Sequence, residues 1–569
     1  MGFMRAYQTI ACGCALALFL VPGCRTPQQH AESADKAAGL HIKKSQEKAL
    51  GAPIAFTIEK PSDALRRRLL ADQHLPGLEP APATNAPPLP DPFVLSLNDA
   101  LQVGAAHSRE YQAIKENVFQ SALALDLEAD AFRNSFAGAL GVLFSSDRSD
   151  EANVDKITGT GEASLTRKLK AGGTLTTRLA FDLAQLLTGD RDSSAGISAD
   201  ASVSIPLLRG AGRAIAMEPL TQAERDLVYA IRRFERYKQD FAVRLASDYL
   251  SVLQQLQAVK DATSNLDRVQ NAFERARRMA DAGRLEGIQV DQARQDVLRA
   301  ESRLNAARQS FESSLDGFKL ALGLPGDARI ALVEAELTAL AAAGAAEGTN
   351  TPAPPIDEPR ALALALTNRL DLLNAAEATA DAERAVTISR DALRAGLTFR
   401  GGASTRDASE KLSRDDIAGL SLRTDRTRSF AGLDFDAPWE RTAQRNNYRA
   451  SLIALERARR DLEAMEDRVK LDVREGLRNL AETREASRIQ ALAVDLARTR
   501  VNSTEIYLQA GRAEIRDVLE AQAALVSTQD ALTRAIVDRR LAELNLQRSL
   551  GVLQVNPEGL WHEYNYTTP

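Results

Sequence analysis

The side chains that most often carry chemistry are nearly missing from this 569-residue sequence. Its histidines are His30, His41, His74, His107 and His562, and its cysteines are Cys12, Cys14 and Cys24. A disulfide framework, a Cys/His zinc site and a Cys–His nucleophile therefore have no material in the body of the chain. Carboxylates alone can run some reactions, so an enzyme is disfavoured rather than excluded. Two spacings imitate sites. Gly210-Ala211-Gly212 has the start of a dinucleotide fingerprint, but Ile215 stands where the third glycine belongs, and the helical stretch that follows is too long for a βαβ unit. Cys12-Gly13-Cys14 looks like a metal pair but falls in an apolar N-terminal signal. We expect no catalytic residue, no metal and no cofactor beyond a covalent lipid.

That lipid is expected on Cys24. Residues 1–23 read as an export signal: Arg5, then an apolar stretch from Ile10 to Val21, too short to span a bilayer. Val21-Pro22-Gly23-Cys24 resembles a bacterial lipobox, with Pro22 a departure from the usual small or aliphatic residue. The alternative is ordinary cleavage near Gly23. Arg25, not being Asp, does not match the signal that retains such lipoproteins at the inner membrane. One acyl chain anchors only marginally, but a lipoprotein carries several.

Composition narrows the class. Apolar residues make up 44% of the chain and aromatics only 5%, a balance that suits long helices better than several compact cores. A formal charge of -5 gives no support to nucleic-acid binding. No run of the mature chain is apolar enough for a spanning helix, so entry into a membrane would require a β-barrel. Residues 24–92, with Pro at 76, 80, 82, 87, 88, 90 and 92, read as an extended leader with one or two helical turns between Pro61 and Asp72.

The remainder is a repeat. An offset of 228 places Ala282-Gly283-Arg284 on Ala510-Gly511-Arg512 and Leu322-Gly323 on Leu550-Gly551, without a gap; an offset of 261 places Ala100-Leu101 and Glu110 on Ala361-Leu362 and Asp371. Paired helical hairpins explain the missing gaps, because an insertion would throw their apolar contacts out of register. The first copy covers 93–327: a helix opened by a Ser96–Asp99 capping box, strands in 136–207, a long helix over 213–282 and a helix over 284–322. A linker, 328–358, separates it from the second copy, 359–555, with strands in 395–437 and helices over 441–510 and 512–550; 556–569 is a tail. In the long helix the apolar residues Leu227, Ile231, Phe234, Phe241, Leu245, Val252, Leu256, Val259, Leu266 and Phe273 step by threes, fours and sevens, the seam of a coiled coil. Before it, Ile197, Ala199, Ala201, Val203 and Ile205 alternate with Ser198, Asp200, Ser202 and Ser204. Strands apolar on one face and polar on the other fit either a lipid-facing barrel or a half-solvated soluble sheet. Export and the adjoining helical rods favour the barrel. The fold class is thus mainly α with a β-barrel portion, in a two-fold repeat.

This order of pieces closely resembles the TolC family of outer-membrane efflux channels over about residues 93–555. The matching pieces are Leu95-Ser96-Leu97-Asn98-Asp99-Ala100-Leu101, the strand exit Ile205-Pro206-Leu207-Leu208-Arg209-Gly210, the turns at 282–294 and 510–522, and the repeat ends at Ala321-Leu322-Gly323-Leu324 and Leu550-Gly551-Val552. The resemblance implies a homotrimeric α/β-barrel channel in which each copy of the repeat gives two strands, twelve in all. An extra hairpin, Glu162 to Leu169 and Thr174 to Leu183, departs from that count. It either enlarges the barrel or lengthens existing strands.

The resemblance also implies the site. Gly283, Arg284, Leu285, Gly511, Arg512 and Ala513 match the periplasmic tip, where the family meets its adaptor; plain helix termination is the other reading. Asp517 and Glu520 match acidic positions ringing the tunnel entrance, with Gln289 opposite Asp517 in the first copy; a solvated helix face is the other reading. Leu508 and Ala513 stand at the family's Tyr and Arg gate positions, beside Tyr507 and Arg512. The expected role is a passive outer-membrane duct of a tripartite efflux pump or type I secretion system. Its partners would be a periplasmic adaptor (membrane fusion) protein, an inner-membrane pump and outer-membrane lipid, with no nucleic acid. The alternative is a periplasmic or surface coiled-coil scaffold without transport activity.

Overall fold

The computed structural model describes residues 26–56, 64–76, 90–148, 153–186, 193–346, 356–409, 426–510 and 512–566. Residues 1–23, read above as an export signal, and Cys24 and Gly511 lie outside them. Along the chain run α1 (Pro27–Leu50), α2 (Ala64–Asp72), β1 (Phe93–Leu95), α3 (Leu97–His107), α4 (Arg109–Asp130), then β2 (Ser135–Arg148), β3 (Asn153–Lys168), β4 (Thr174–Leu186) and β5 (Ser193–Pro206). The first copy continues with α5 (Arg213–Ala216), α6 (Glu218–Asp281) and α7 (Gly287–Ala321), followed by β6 (Ile330–Leu332) and α8 (Ala335–Ala346). The second copy has α9 (Glu358–Asn368), α10 (Leu370–Asp391), β7 (Gly396–Ser409), β8 (Thr427–Asp436), α11 (Thr442–Gln509) and α12 (Ile515–Leu550), with a small hairpin, β9 (Gln554–Val555) and β10 (Trp561–His562), after it.

Two compact units share these elements. The first holds one antiparallel sheet in the order β2-β3-β4-β5-β7-β8. The extra hairpin of the first copy is present as β3 and β4, which sit inside the sheet between β2 and β5, so the first copy gives four strands and the second gives two. The hairpin is longer than its expected start at Glu162, since β3 begins at Asn153. Its turn is tied to the strand exit, with the Gly212 N–H donating to the Ala171 carbonyl at 3.1 Å.

The leader is corrected as well. Besides the helical turns expected between Pro61 and Asp72, where α2 lies, the leader holds α1, which runs for 24 residues and is started by a capping box in which Thr26 and Gln29 exchange hydrogen bonds, with Pro27 in the first turn. Ala38 and Ile42 are fully buried. His41 lies 3.2 Å from Asp126 on α4, and Lys48 pairs with Glu224 on α6 at 3.2 Å.

The second unit is helical. The Ser96–Asp99 capping box forms as expected, each residue satisfying the other's backbone N–H. In α6 the seam residues Ile231, Phe234, Phe241, Leu245 and Val252 are buried, but farther along Val269 and Ala276 take the inner positions in place of Leu266 and Phe273. Tyr111 meets Phe234 and Phe241 edge-on, with ring centroids 5.5 and 5.2 Å away. The region 328–358 is more than a linker: β6 pairs in parallel with β1, Phe93 opposite Ile330 and Leu95 opposite Leu332, and clasps the two ends of the first copy together. Gly323 ends its helix at φ +78°, so close to the His107 carbonyl that a Cβ would sit 2.1 Å from the oxygen.

Candidate functional site: a two-faced sheet and two hairpin ends

Register fixes the faces of the sheet. Phe136, Leu165, Thr177, Ala201, Ala403 and Ser429 form one row across all six strands, and Ala137, Ser164, Arg178, Asp200, Ser404 and Arg428 form the next. Successive rows point to opposite sides. The first side also carries Leu140, Val142, Leu179, Phe181, Ile197, Phe399, Leu433 and Phe435. Leu140 is 73% and Phe435 68% exposed, in a band where each apolar side chain has further apolar neighbours. So much contiguous apolar surface does not suit water. The opposite side is charged and internally paired: Arg178 reaches Glu162 at 2.6 Å, and Arg400 reaches Asp434 at 2.8 Å. Both pairs are diagonal neighbours on adjoining strands. The sheet can therefore separate hydrocarbon from an aqueous space. Trp439, fully exposed just past β8, was missed at the sequence level; a lone Trp one turn beyond a final strand is the signal, since interfacial aromatics gather at such borders.

At the far end of the hairpins, both turns use the same device. The Arg284 N–H donates to the Met279 carbonyl at 2.9 Å, and the Arg512 N–H donates to the Tyr507 carbonyl at 2.8 Å. Each bond reaches back five residues, closing a Schellman cap on the long helix. Gly283 holds φ +70° with open space around it, so backbone conformation rather than room requires glycine there. One apolar cluster of Val269, Ala276, Ala293, Ile515 and Leu519, flanked by Phe273, Leu285 and Leu508, joins the two hairpin ends. Leu285 and Ala513 are half-buried, while Arg284 and Arg512 are exposed. Leu508, which the resemblance aligns with a family gate position, packs against this cluster.

Asp517 and Glu520 have partners the sequence reading did not assign. Asp517 is the third residue of a capping box, its carboxylate accepting from the Glu514 N–H at 3.0 Å. Glu520 is exposed and lies 3.3 Å from Arg500 on α11. The structure thus places both acids at the start of α12 but commits part of Asp517 to the helix and offsets the charge of Glu520. A second acidic pair lies on α6 and α12: burial pushes the Asp530 carboxyl up from its ordinary range, and the nearby Asp261 charge adds to the rise. Asp261 is raised by burial too, against hydrogen bonding from Gln257 and the charge of Arg268. Among the described residues, no group of three or more His, Cys, Asp or Glu side chains could hold a metal, and no helix is long and apolar enough to cross a membrane.

No protein-family model and no curated relative matches the sequence. Solved structures do. The Campylobacter jejuni CmeC outer membrane channel superposes with a TM-score of 0.58 at 10% identity, covering 80% of this chain and 85% of that one. VceC, an outer membrane protein of Vibrio cholerae, gives 0.57 at 12%, over 80% and 96% of the two chains. The open-state MtrE outer membrane channel of Neisseria gonorrhoeae gives 0.54 at 13%, over 80% and 88%. The chain has the TolC-like channel fold.

Proposed function

We propose that this protein is the outer-membrane channel component of a tripartite efflux pump or type I secretion system. The observation that carries this reading is the sheet: an exposed apolar face through Leu140, Val142, Leu433 and Phe435, backed by a face bearing Glu162, Arg178, Asp200, Arg400 and Asp434. A barrel wall needs that division, and a spacer between soluble partners does not. Three copies would enclose one lumen, with lipid around the sheet and helical hairpins extending into the periplasm.

Flow through such a duct is passive. An inner-membrane pump would supply the energy, joined through an adaptor that docks on the exposed Arg284 and Arg512 beside Leu285 and Ala513. Gly511, the repeat counterpart of Gly283, is proposed for the same role. Asp517 and Glu520 would stand at the periplasmic entrance, where a three-fold axis multiplies each carboxylate and favours cations. A diacyl or triacyl anchor on Cys24 would add to the hold on the outer membrane, a short way before α1 begins.

The deciding experiment is reconstitution of the purified protein into planar bilayers. Discrete, cation-preferring conductance steps support the duct. A bilayer that stays ion-tight at every protein concentration, with the protein inserted, would establish a coiled-coil scaffold instead.

A further inference from the structure

The sheet of one chain is open. Among the described residues, β2 and β8 stand at its two ends and do not pair with each other. Six strands are fewer than the eight of the smallest outer-membrane barrels. In hydrocarbon the outward N–H and C=O groups of an edge find no water, at several kcal/mol each. With the ten residues of β8, roughly ten such groups face outward. Something must pair with these edges.

On the duct reading above, three copies join edge to edge, β8 of one against β2 of the next; we propose that β3 and β4 stay in the wall when they do, so that the ring has eighteen strands rather than twelve. Three observations make a second copy fit. β2 follows α4 and β8 leads into α11, and in a sheet of six antiparallel strands the two edges run in opposite directions, so placing them side by side continues the antiparallel order without a break. The row register keeps the apolar faces of both edge strands on one side, so the lipid-facing band continues across the joint. And β3 and β4 are full members of the wall: their apolar residues Leu165, Leu179 and Phe181 lie in the same face as Leu140 and Ile197. The count of three rests on the duct reading above, whereas six strands per copy is a property of the sheet itself. At ~4.8 Å between strands and ~40° tilt, eighteen strands give a barrel roughly 36 Å across between backbones, against roughly 24 Å for twelve. The membrane portion would then be half as wide again as a twelve-stranded one, with a water-filled mouth of porin size.

The sequence has no cysteine after Cys24, so introduced cysteines report cleanly. In full-length protein in native-like membranes, Gly141→Cys on β2 is combined in turn with Arg428→Cys, Phe430→Cys, Gly432→Cys or Asp434→Cys on β8, all on the polar face. Oxidation should give a ladder that ends at three copies for at least one pairing. A ladder ending at two copies, or none for any pairing, overturns the proposal. A second arm asks whether β3 and β4 stay in the wall. Ala139→Cys with Ser198→Cys joins β2 to β5, which are three strand spacings apart here. No link is expected, and an efficient link within one chain would show the hairpin peeled out of a narrower barrel. A fluorophore on Phe181→Cys should be quenched by doxyl lipids as strongly as one on Leu140→Cys; quenching less than half as strong overturns the proposal. A three-copy ladder without conductance would sink the duct and leave the barrel, and conductance with a two-copy ladder would do the reverse.

Discussion

Arg369 donates to Asp472 at 2.7 Å, joining the α9–α10 corner to the middle of α11. Its other amino group donates to Asp371 at 2.6 Å, and the arginine side chain is 5% exposed. The repeat gives this contact its meaning. Asp371 corresponds to Glu110 and Asp472 to Arg244, and in the first copy those two pair directly at 3.2 Å with both side chains half exposed. Where the second copy has two acids instead of an acid and a base, it brings a buried guanidinium from position 369 to bridge them.

The two copies should therefore respond unequally to loss of an arginine. Arg369→Met leaves two carboxylates facing each other around a vacated site and should cost about 3–5 kcal/mol. Arg244→Met breaks an exposed pair and should cost about 1 kcal/mol or less. Thermal midpoints of the two variants in detergent would separate them, and equal losses would refute the asymmetry. The pH dependence has a definite sign. Burial pushes the Asp371 carboxyl up, but hydrogen bonds and charge from Arg369, with the charge of Arg236, outweigh it and hold the group below its usual value. A carboxyl lowered in the folded state stabilises above its unfolded pKa and loses that contribution as pH falls through the folded one. Asp371→Asn should thus be destabilising at neutral pH and match the parent protein in strong acid.

Gly323 and Gly283 share a left-handed backbone but not its surroundings. Gly323→Ala places a Cβ against the His107 carbonyl and should cost more than about 2 kcal/mol. Gly283→Ala meets open space and should cost only about 1–2 kcal/mol of backbone strain. Gly283→Trp should further weaken crosslinking to an adaptor while leaving the assembled protein intact on native gels. Undiminished crosslinking would move the docking surface off this turn.

At the start of α12, the proposed entrance, charge and helix capping can be separated. Asp517→Asn keeps an oxygen for the Glu514 N–H while removing the charge; Asp517→Ala also loses the cap, about 1 kcal/mol. Asp517→Asn with Glu520→Ala should lower cation preference in bilayers. Arg500→Ala, which frees Glu520, should raise it. Selectivity indifferent to all of these would take the acids out of the permeation path.

Cys24→Ser should abolish incorporation of radioactive palmitate in a bacterial host. Labelling at the parent level would rule out this anchor.

The features read correctly from sequence are those that repeat a local period many times over. The threes and fours of Ile231 to Val252, and the twos of Ile197 to Ile205, hold because each residue faces the same phase as the next one in its stripe. The start of β3 escaped because Gly159 and Gly161 occupy apolar-face positions and leave no stripe to see. β6 escaped because three residues carry no period, and its identity depends on β1, more than 230 residues away. The prolines between 76 and 92 gave their character to the whole leader and hid α1, whose few buried residues are Ala38, Ile42, Ser45 and Gln46. Thr26, Pro27 and Gln29 were the legible start signal. At the start of α12, Glu514 and Asp517 form a capping box that the sequence hides, because Glu rather than Ser or Thr stands at the N-cap. The Arg500 contact, by contrast, needed the packing of α11 on α12.

The β3–β4 insertion also bears on how such walls can change over time. Each strand reverses the direction of travel, so adding one alone would deliver the chain to the wrong end of the sheet, away from the helix that must follow. Additions come in twos. A gene that gains a hairpin alters every copy at once, and the circumference of a three-fold ring then grows by six strands in a single step. Pore width in the proposed three-fold barrel is a ladder with tall rungs, and point mutations, however many accumulate, only line the rung already reached.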